Sequence, residues 1–169
     1  MTSNSKSQMI QEWMNDMKIL VTGGLGFIGS NFIIHILEKY PDFEIVNIDA
    51  CLHGSNPKNL PRFKNQNYSY VKGNITDKKL VEKLISKSDI VINFAAESHV
   101  DRSISDPKPF IDSNIIGVYT ILESIRKHKK RMIHISTDEV FGSLKLDSAN
   151  EKFPFNPSSP YAASKASAE

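Results

Sequence analysis

The sequence predicts an α/β protein: a doubly wound parallel sheet with helices on both faces. Three observations carry that prediction. Strand-like apolar runs alternate with helix-like segments from Lys18 to the end of the chain, the pattern of a parallel sheet with helical crossovers. A glycine run, Thr22-Gly23-Gly24-Leu25-Gly26-Phe27-Ile28-Gly29, joins the first apolar run to the first helical one. Distinctive motifs then follow each predicted strand, where open α/β sheets bind their ligands. These are Gly23, Asp49, Gly73-Asn74-Ile75, Ala95-Ala96-Glu97 and Ser136-Thr137-Asp138-Glu139.

The elements follow in order. Lys18–Thr22 reads as the first strand. Phe27–Lys39 reads as a helix, because Phe27, Ile28, Phe32, Ile36 and Leu37 recur at helical spacing and Pro41 stops it. Glu44–Ile48 is the second strand and ends at Asp49. Leu52–Gln66 carries Gly54, Pro57 and Pro61 and reads mainly as loop. Tyr68–Lys72 is the third strand. Asp77–Ser86 is a helix capped by Thr76 or Asp77. Ile90–Phe94 is an apolar run, as expected of a strand buried on both faces. Pro109–His128 holds a long helix that begins within Pro107–Asp112. Arg131–Ser136 is the fifth strand, Leu144–Pro157 a loop, and Ser159–Glu169 the start of another helix.

Composition narrows the function classes. The chain has 169 residues, the length of one domain, and its 40% hydrophobic and 24% charged content is that of a globular protein. A net charge of +2 gives no reason to expect nucleic acid as a partner. The cluster Lys127-His128-Lys129-Lys130-Arg131 reads as a helix end, where cations suit the dipole. Cys51 is the only cysteine, so no intrachain disulfide forms, as suits a reducing compartment, and a cytoplasmic location is expected. No run approaches the length of a membrane span. Residues 1–16 are polar, lack the apolar segment of a signal peptide, and read as a disordered extension or a misplaced start, with Met17 a candidate initiator. No metal site is expected.

Two constellations carry chemistry. The first is Gly24-x-Gly26-x-x-Gly29 between strand and helix, with Asp49 placed 20 residues beyond Gly29. That is the fingerprint of a Rossmann-like dinucleotide site: the glycines admit a pyrophosphate to a helix N-terminus, and the acid meets the ribose. The second is Tyr161-Ala162-Ala163-Ser164-Lys165. Four residues apart on a helix, phenol and ammonium share a face, and the cation lowers the phenol's pKa until it can act as a base. The triplet Thr137-Asp138-Glu139 allows two readings. Its carboxylates could divide acid and base roles beside the cofactor, or Thr137 could cap a helix whose first turn holds two acids.

TGGLGFIGSNF, AAESHVDRSI, HISTDEVFGS and PSSPYAASKASAE together resemble the extended short-chain dehydrogenase/reductase superfamily and, more narrowly, its dTDP-glucose 4,6-dehydratases. The resemblance covers residues 17–169. The Asp138-Glu139 pair is its discriminating piece, since 4-epimerases of the superfamily typically lack it. The resemblance implies NAD as cofactor and dTDP-glucose as substrate. It implies that Tyr161 takes the sugar 4-hydroxyl proton, Lys165 holds the nicotinamide ribose, and Thr137 bonds the 4-oxygen. Glu139 removes the C5 proton, and Asp138 protonates the departing 6-hydroxyl. Gly23, Gly26, Phe27, Ile28 and Gly29 line the pyrophosphate, and Asp49 selects NAD over NADP by repelling a second phosphate. Asn74 and Ile75 meet adenine, Ala95 and Ala96 pack beside the cofactor, and Glu97 and Ser98 approach the substrate. His99 takes a structural or orienting part.

The sequence departs from that pattern in places. Asn74 stands where the family usually has Asp, and in the loop Ala50–Asn59 a tyrosine is missing with His53 near its place. Family members are about twice as long, so 17–169 is expected to be an incomplete NAD-binding domain, truncated before the substrate domain. Members usually form homodimers through long helices, here Pro109–His128 and the last helix. The alternatives are another sugar-nucleotide enzyme, an epimerase or decarboxylase, or a non-catalytic NAD-binding fragment.

Overall fold

The computed structural model describes residues 17–60, 67–144 and 148–169. The expected extension at 1–16 and parts of the two long loops lie outside the described residues. Among the described residues five strands form one sheet: β1 (Lys18–Thr22), β2 (Glu44–Asp49), β3 (Tyr68–Lys72), β4 (Ile90–Asn93) and β5 (Arg131–His134). Their order is β3-β2-β1-β4-β5 and every pairing is parallel. The chain starts in the middle, builds outward to β3, then returns to the other side of β1. The crevice between β1 and β4 is therefore the switch point where such sheets bind ligands.

The helices are α1 (Phe27–Lys39), α2 (Lys78–Ser86), α3 (Val100–Ser105), α4 (Lys108–Phe110), α5 (Val118–His128) and α6 (Pro160–Ala166). Alternation along the strands divides the core between the two sheet faces. Ile19, Val21, Ile45 and Ile92 pack with Ile33 and Leu37 of α1. Their neighbours Leu20, Ile48 and Val91 pack with Val81 and Ile85 of α2 and Ile121 of α5. Both faces are thus covered, as the apolar strands require.

Several boundaries differ from the sequence reading. β2 runs through Asp49 and β4 stops at Asn93. β5 ends at His134 instead of Ser136, because its pairing with β4 ends where β4 does. Helix α3 was not anticipated. The expected single helix from Pro109 is three pieces, with a π-helical segment Ile111–Gly117 between α4 and α5. The basic cluster does lie at a helix end: Arg126, Lys127 and His128 form the last turn of α5, and Lys129 closes it at φ 53.

Asp77, not Thr76, caps α2, its Oδ1 accepting from the Leu80 amide at 3.1 Å. Asp77→Ala should lower stability by about 1 kcal/mol. Denaturant unfolding checks this, and an unchanged midpoint would mean that the cap contributes nothing.

Candidate functional site

The carboxyl ends of the strands open into one cavity of about 580 Å³. Every residue expected to bind the dinucleotide lines it: Gly23, Gly26, Phe27, Ile28, Gly29, Asp49, Asn74, Ile75, Ala95, Ala96, Tyr161 and Lys165. Glu97 and Ser98 line it too. Thr137, Asp138 and Glu139 are not among the lining residues, although Ser136 is.

Two glycines fix the turn after β1. Gly23 has φ 69, and a Cβ there would lie 2.6 Å from both Cα and N of Ala95 on the neighbouring strand end. A Cβ on Gly29 would lie 2.5 Å from the Gly23 carbonyl oxygen, so α1 packs directly onto the turn. The N-terminus of α1 has no side-chain cap and no acid in its first turn. Its amides and positive dipole end are therefore suited to an anion.

Polar residues of β2 tie this loop down. Asn47 Oδ1 accepts from the Gly24 amide at 3.0 Å. Asp49, 5% exposed, accepts from the amides of Leu25 and Cys51 and from the Ser55 hydroxyl. Asp49 thus organises the loop as well as lining the cavity. Sequence reasoning missed Asn47, whose signal is a polar residue among the apolar neighbours Ile45, Val46 and Ile48. Asn74 Oδ1 accepts from the amide and hydroxyl of Thr76, which leaves the Asn74 NH2 as its offering to a ligand.

Behind the cavity, Asn114 of the π-helical segment is buried and joins three elements. It accepts from the Glu97 amide at 2.9 Å and donates to the Glu97 carbonyl and to Ser164 Oγ. Glu97 is itself buried and pairs with Arg102 at 3.2 Å. Segments of π-helix often mark functional sites, and Asn114 was also missed from the sequence. His99 occupies the N-cap position of α3, its carbonyl accepting from the Ser103 amide. Its side chain is exposed and makes no cap hydrogen bond.

Ser159 caps α6 with Pro160 in its first turn, and Tyr161 and Lys165 follow on the buried side. The Tyr161 amide donates to Ser103 Oγ at 3.1 Å, and its ring meets Phe110 edge-on at 6.3 Å. Lys165 is 2% exposed. Burial lowers its pKa, which nearby Glu169 partly offsets. The triplet adopts the capping geometry: Thr137 Oγ1 accepts from the Glu139 amide at 3.3 Å, opening a short 3-10 turn over Asp138–Phe141. Asp138 and Glu139 are exposed.

These features fit a dinucleotide. An uncapped helix end faces a cavity with a carboxylate at the adjacent strand end, and Ser136 Oγ is buried there with no hydrogen-bond partner among the described residues. Among the same residues, no group of three or more His, Cys, Asp or Glu could hold a metal. No helix there is long and apolar enough to cross a membrane.

Comparison with known proteins is consistent with this geometry. The family model described as GDP-mannose 4,6 dehydratase matches residues 20–169. A dTDP-glucose 4,6-dehydratase of Mycobacterium tuberculosis is 46% identical over 156 residues, covering 90% of this chain and 47% of its own. Among solved structures, a dTDP-glucose 4,6-dehydratase of Streptomyces venezuelae with NAD bound superposes at a TM-score of 0.85, with 41% identity over 90% of this chain and 49% of its own. A UDP-glucose 4-epimerase of Thermotoga maritima superposes at 0.80 with 30% identity, over 90% and 48%. The chain spans about half the length of the curated relatives it matches.

Proposed function

The chain belongs to the GDP-mannose 4,6 dehydratase family, and from that premise we propose that it is the NAD-binding part of a dTDP-glucose 4,6-dehydratase. The observation that carries the reading is convergence. Folding brings Tyr161 and Lys165 into the cavity that the glycine turn and Asp49 line. The named activities of the relatives support it, as does NAD in the structures of two of them.

Bound NAD supplies a reversible hydride acceptor at C4 of the sugar. Gly23, Gly26, Phe27, Ile28 and Gly29 would hold its pyrophosphate, Asp49 its adenosine ribose, and Asn74 and Ile75 its adenine. Tyr161 takes the proton from the 4-hydroxyl, and Lys165 binds the nicotinamide ribose. Glu97 and Ser98 lie on the substrate side. Thr137 bonds the 4-oxygen, Glu139 removes the C5 proton made acidic by the 4-keto group, and Asp138 protonates the leaving 6-hydroxyl. Return of the hydride from C4 to C6, with a proton to C5, would give a 4-keto-6-deoxy sugar nucleotide and leave the cofactor oxidised again. The roles of the triplet are supported by the motif and the family, while those of the lining residues are supported by the cavity as well.

One observation favours a second reading, a sugar-nucleotide 4-epimerase. Tyr161 and Lys165 are in the cavity, whereas Asp138 and Glu139 are exposed outside its lining.

Exposed Ile111, Ile116, Tyr119 and Leu122 along the helical run from Ile111 to His128 support a homodimer formed through that run. A cytoplasmic location goes with the proposed biosynthetic role.

Titration of the chain with each nicotinamide cofactor tests the reading. NAD should bind at least about tenfold more tightly than NADP, roughly 1.4 kcal/mol, because a 2′-phosphate would meet Asp49. Equal or tighter NADP binding would overturn the assignment of Asp49.

A further inference from the structure

The strand order decides which part of a dinucleotide meets which end of the cavity. The glycine turn follows β1, Asp49 ends β2 beside it, and Gly73-Asn74-Ile75 follows β3 at the sheet edge. With a pyrophosphate on the turn and a ribose at Asp49, the next step outward carries the base to the end of β3. Gly73, Asn74 and Ile75 all line the cavity there. Gly73 has no side chain and that of Ile75 is apolar, so Asn74 is the side chain of the three that can read a base by hydrogen bonding.

The polarity of Asn74 is fixed by a group that cannot accept. The Thr76 amide lies 3.0 Å from Oδ1, and a backbone amide only donates, so the atom facing it is the oxygen. The Thr76 hydroxyl donates to the same oxygen at 3.0 Å. Both lone pairs of Oδ1 are thereby used, and the NH2, which donates only, is left for a ligand. Other acceptors at these strand ends are engaged too. The Asp49 carboxylate takes three donors, and its carbonyl takes the Gly73 amide and the Tyr70 hydroxyl. The Asn74 carbonyl takes the Asp77 amide.

Purines divide at their 6-substituent. Adenine carries an amine that donates, and a 6-oxopurine such as hypoxanthine carries an oxygen that accepts, while both keep acceptor ring nitrogens. A side chain that only donates has nothing to offer the 6-amine. It can bond to a ring nitrogen of either base or to the 6-oxygen. We infer that Asn74 makes the base end of the site indifferent to the 6-substituent, so that the chain takes a 6-oxopurine dinucleotide at least as readily as the 6-aminopurine one. The inference rests on the proposed dinucleotide reading. A carboxylate at this position would discriminate: one oxygen would still accept from Thr76, and the other would accept from the 6-amine and repel a 6-oxygen.

Calorimetric titration of the chain with NAD and with nicotinamide hypoxanthine dinucleotide tests this. The hypoxanthine form should bind no more than about threefold more weakly than NAD, less than the loss of one hydrogen bond. Asn74→Asp should then favour NAD by roughly tenfold or more, through a charge-assisted bond. The new charge also repels the pyrophosphate and weakens both ligands, so the ratio of affinities carries the result. A parent chain that favours NAD tenfold, or a variant that folds with the parent's ratio, would overturn the inference and leave the cofactor reading in place. Binding of neither dinucleotide by the parent would overturn the cofactor reading and the inference with it. Should the variant not fold, the parent ratio decides.

Discussion

Gly23→Ala lowers folding stability by roughly 2–5 kcal/mol, the sum of a left-handed backbone cost and an overpacking cost. The first arises because Gly23 sits at φ 69. The second arises because the new methyl would lie 2.6 Å from backbone atoms of Ala95 and 2.9 Å from the Phe94 carbonyl carbon, none of which can turn aside. A loss of this size is a large share of a domain's stability. Gly26→Ala is the control. Gly26 has φ −70, and its added Cβ would meet only the Gly23 oxygen, at 3.3 Å. That variant should keep its stability to within about 1 kcal/mol and still lose NAD affinity, because the methyl occupies the place proposed for the pyrophosphate. Denaturant unfolding and NAD titration of both variants separate the two effects. A Gly23→Ala chain that unfolds at the parent midpoint would show that the turn is not packed against β4 as described.

How far the sequence could be read depended on whether the determining contacts are local. β1, α1 and β3 were legible to the residue, because alternating or helical apolar spacing bounded by Gly or Pro is a local signal. The six-residue helix α3 was not, since His99 gives no side-chain cap and Val100-Asp101-Arg102-Ser103 shows no period. The π-helical segment was hidden for another reason. Asn114 bonds to the backbone of Glu97, 17 residues away, and to Ser164, 50 away, and no local pattern encodes either contact. The residues expected to bind the dinucleotide all line the cavity, because in this topology strand ends converge whatever the intervening helices do, whereas Leu52, Phe94, Asp112 and Ser113 also line it and carry no local signal. Lys165 shows the limit. Spacing paired it with Tyr161, whereas its hydrogen-bond partners, His134 and the Ile135 carbonyl, lie on β5 and just beyond it.

The other large effect concerns Asp138 and Glu139. In a chimera joining this chain to the downstream half of the Mycobacterium tuberculosis relative, Asp138→Asn with Glu139→Gln should slow water loss by at least about a hundredfold, the usual size of one acid–base contribution. Oxidation at C4 should survive, because Tyr161, Lys165 and Thr137 are untouched, so 4-keto sugar that still carries its 6-hydroxyl should accumulate. Tyr161→Phe should do the opposite and suppress oxidation itself. The capping reading predicts otherwise. Thr137 Oγ1 accepts from the Glu139 amide, and both carboxylates are exposed. If the triplet only starts the 3-10 turn, Thr137→Ala should cost roughly 1 kcal/mol and the double variant should dehydrate at the parent rate. Rapid-quench sampling of substrate, 4-keto intermediate and product distinguishes the outcomes. A slowed elimination would mean that substrate draws these side chains inward from their present exposed positions. An unchanged rate would remove the acid and base roles of Asp138 and Glu139 and leave the capping reading, whereas a parent chimera that loses no water would leave the epimerase reading, which needs only Tyr161 and Lys165 in the cavity.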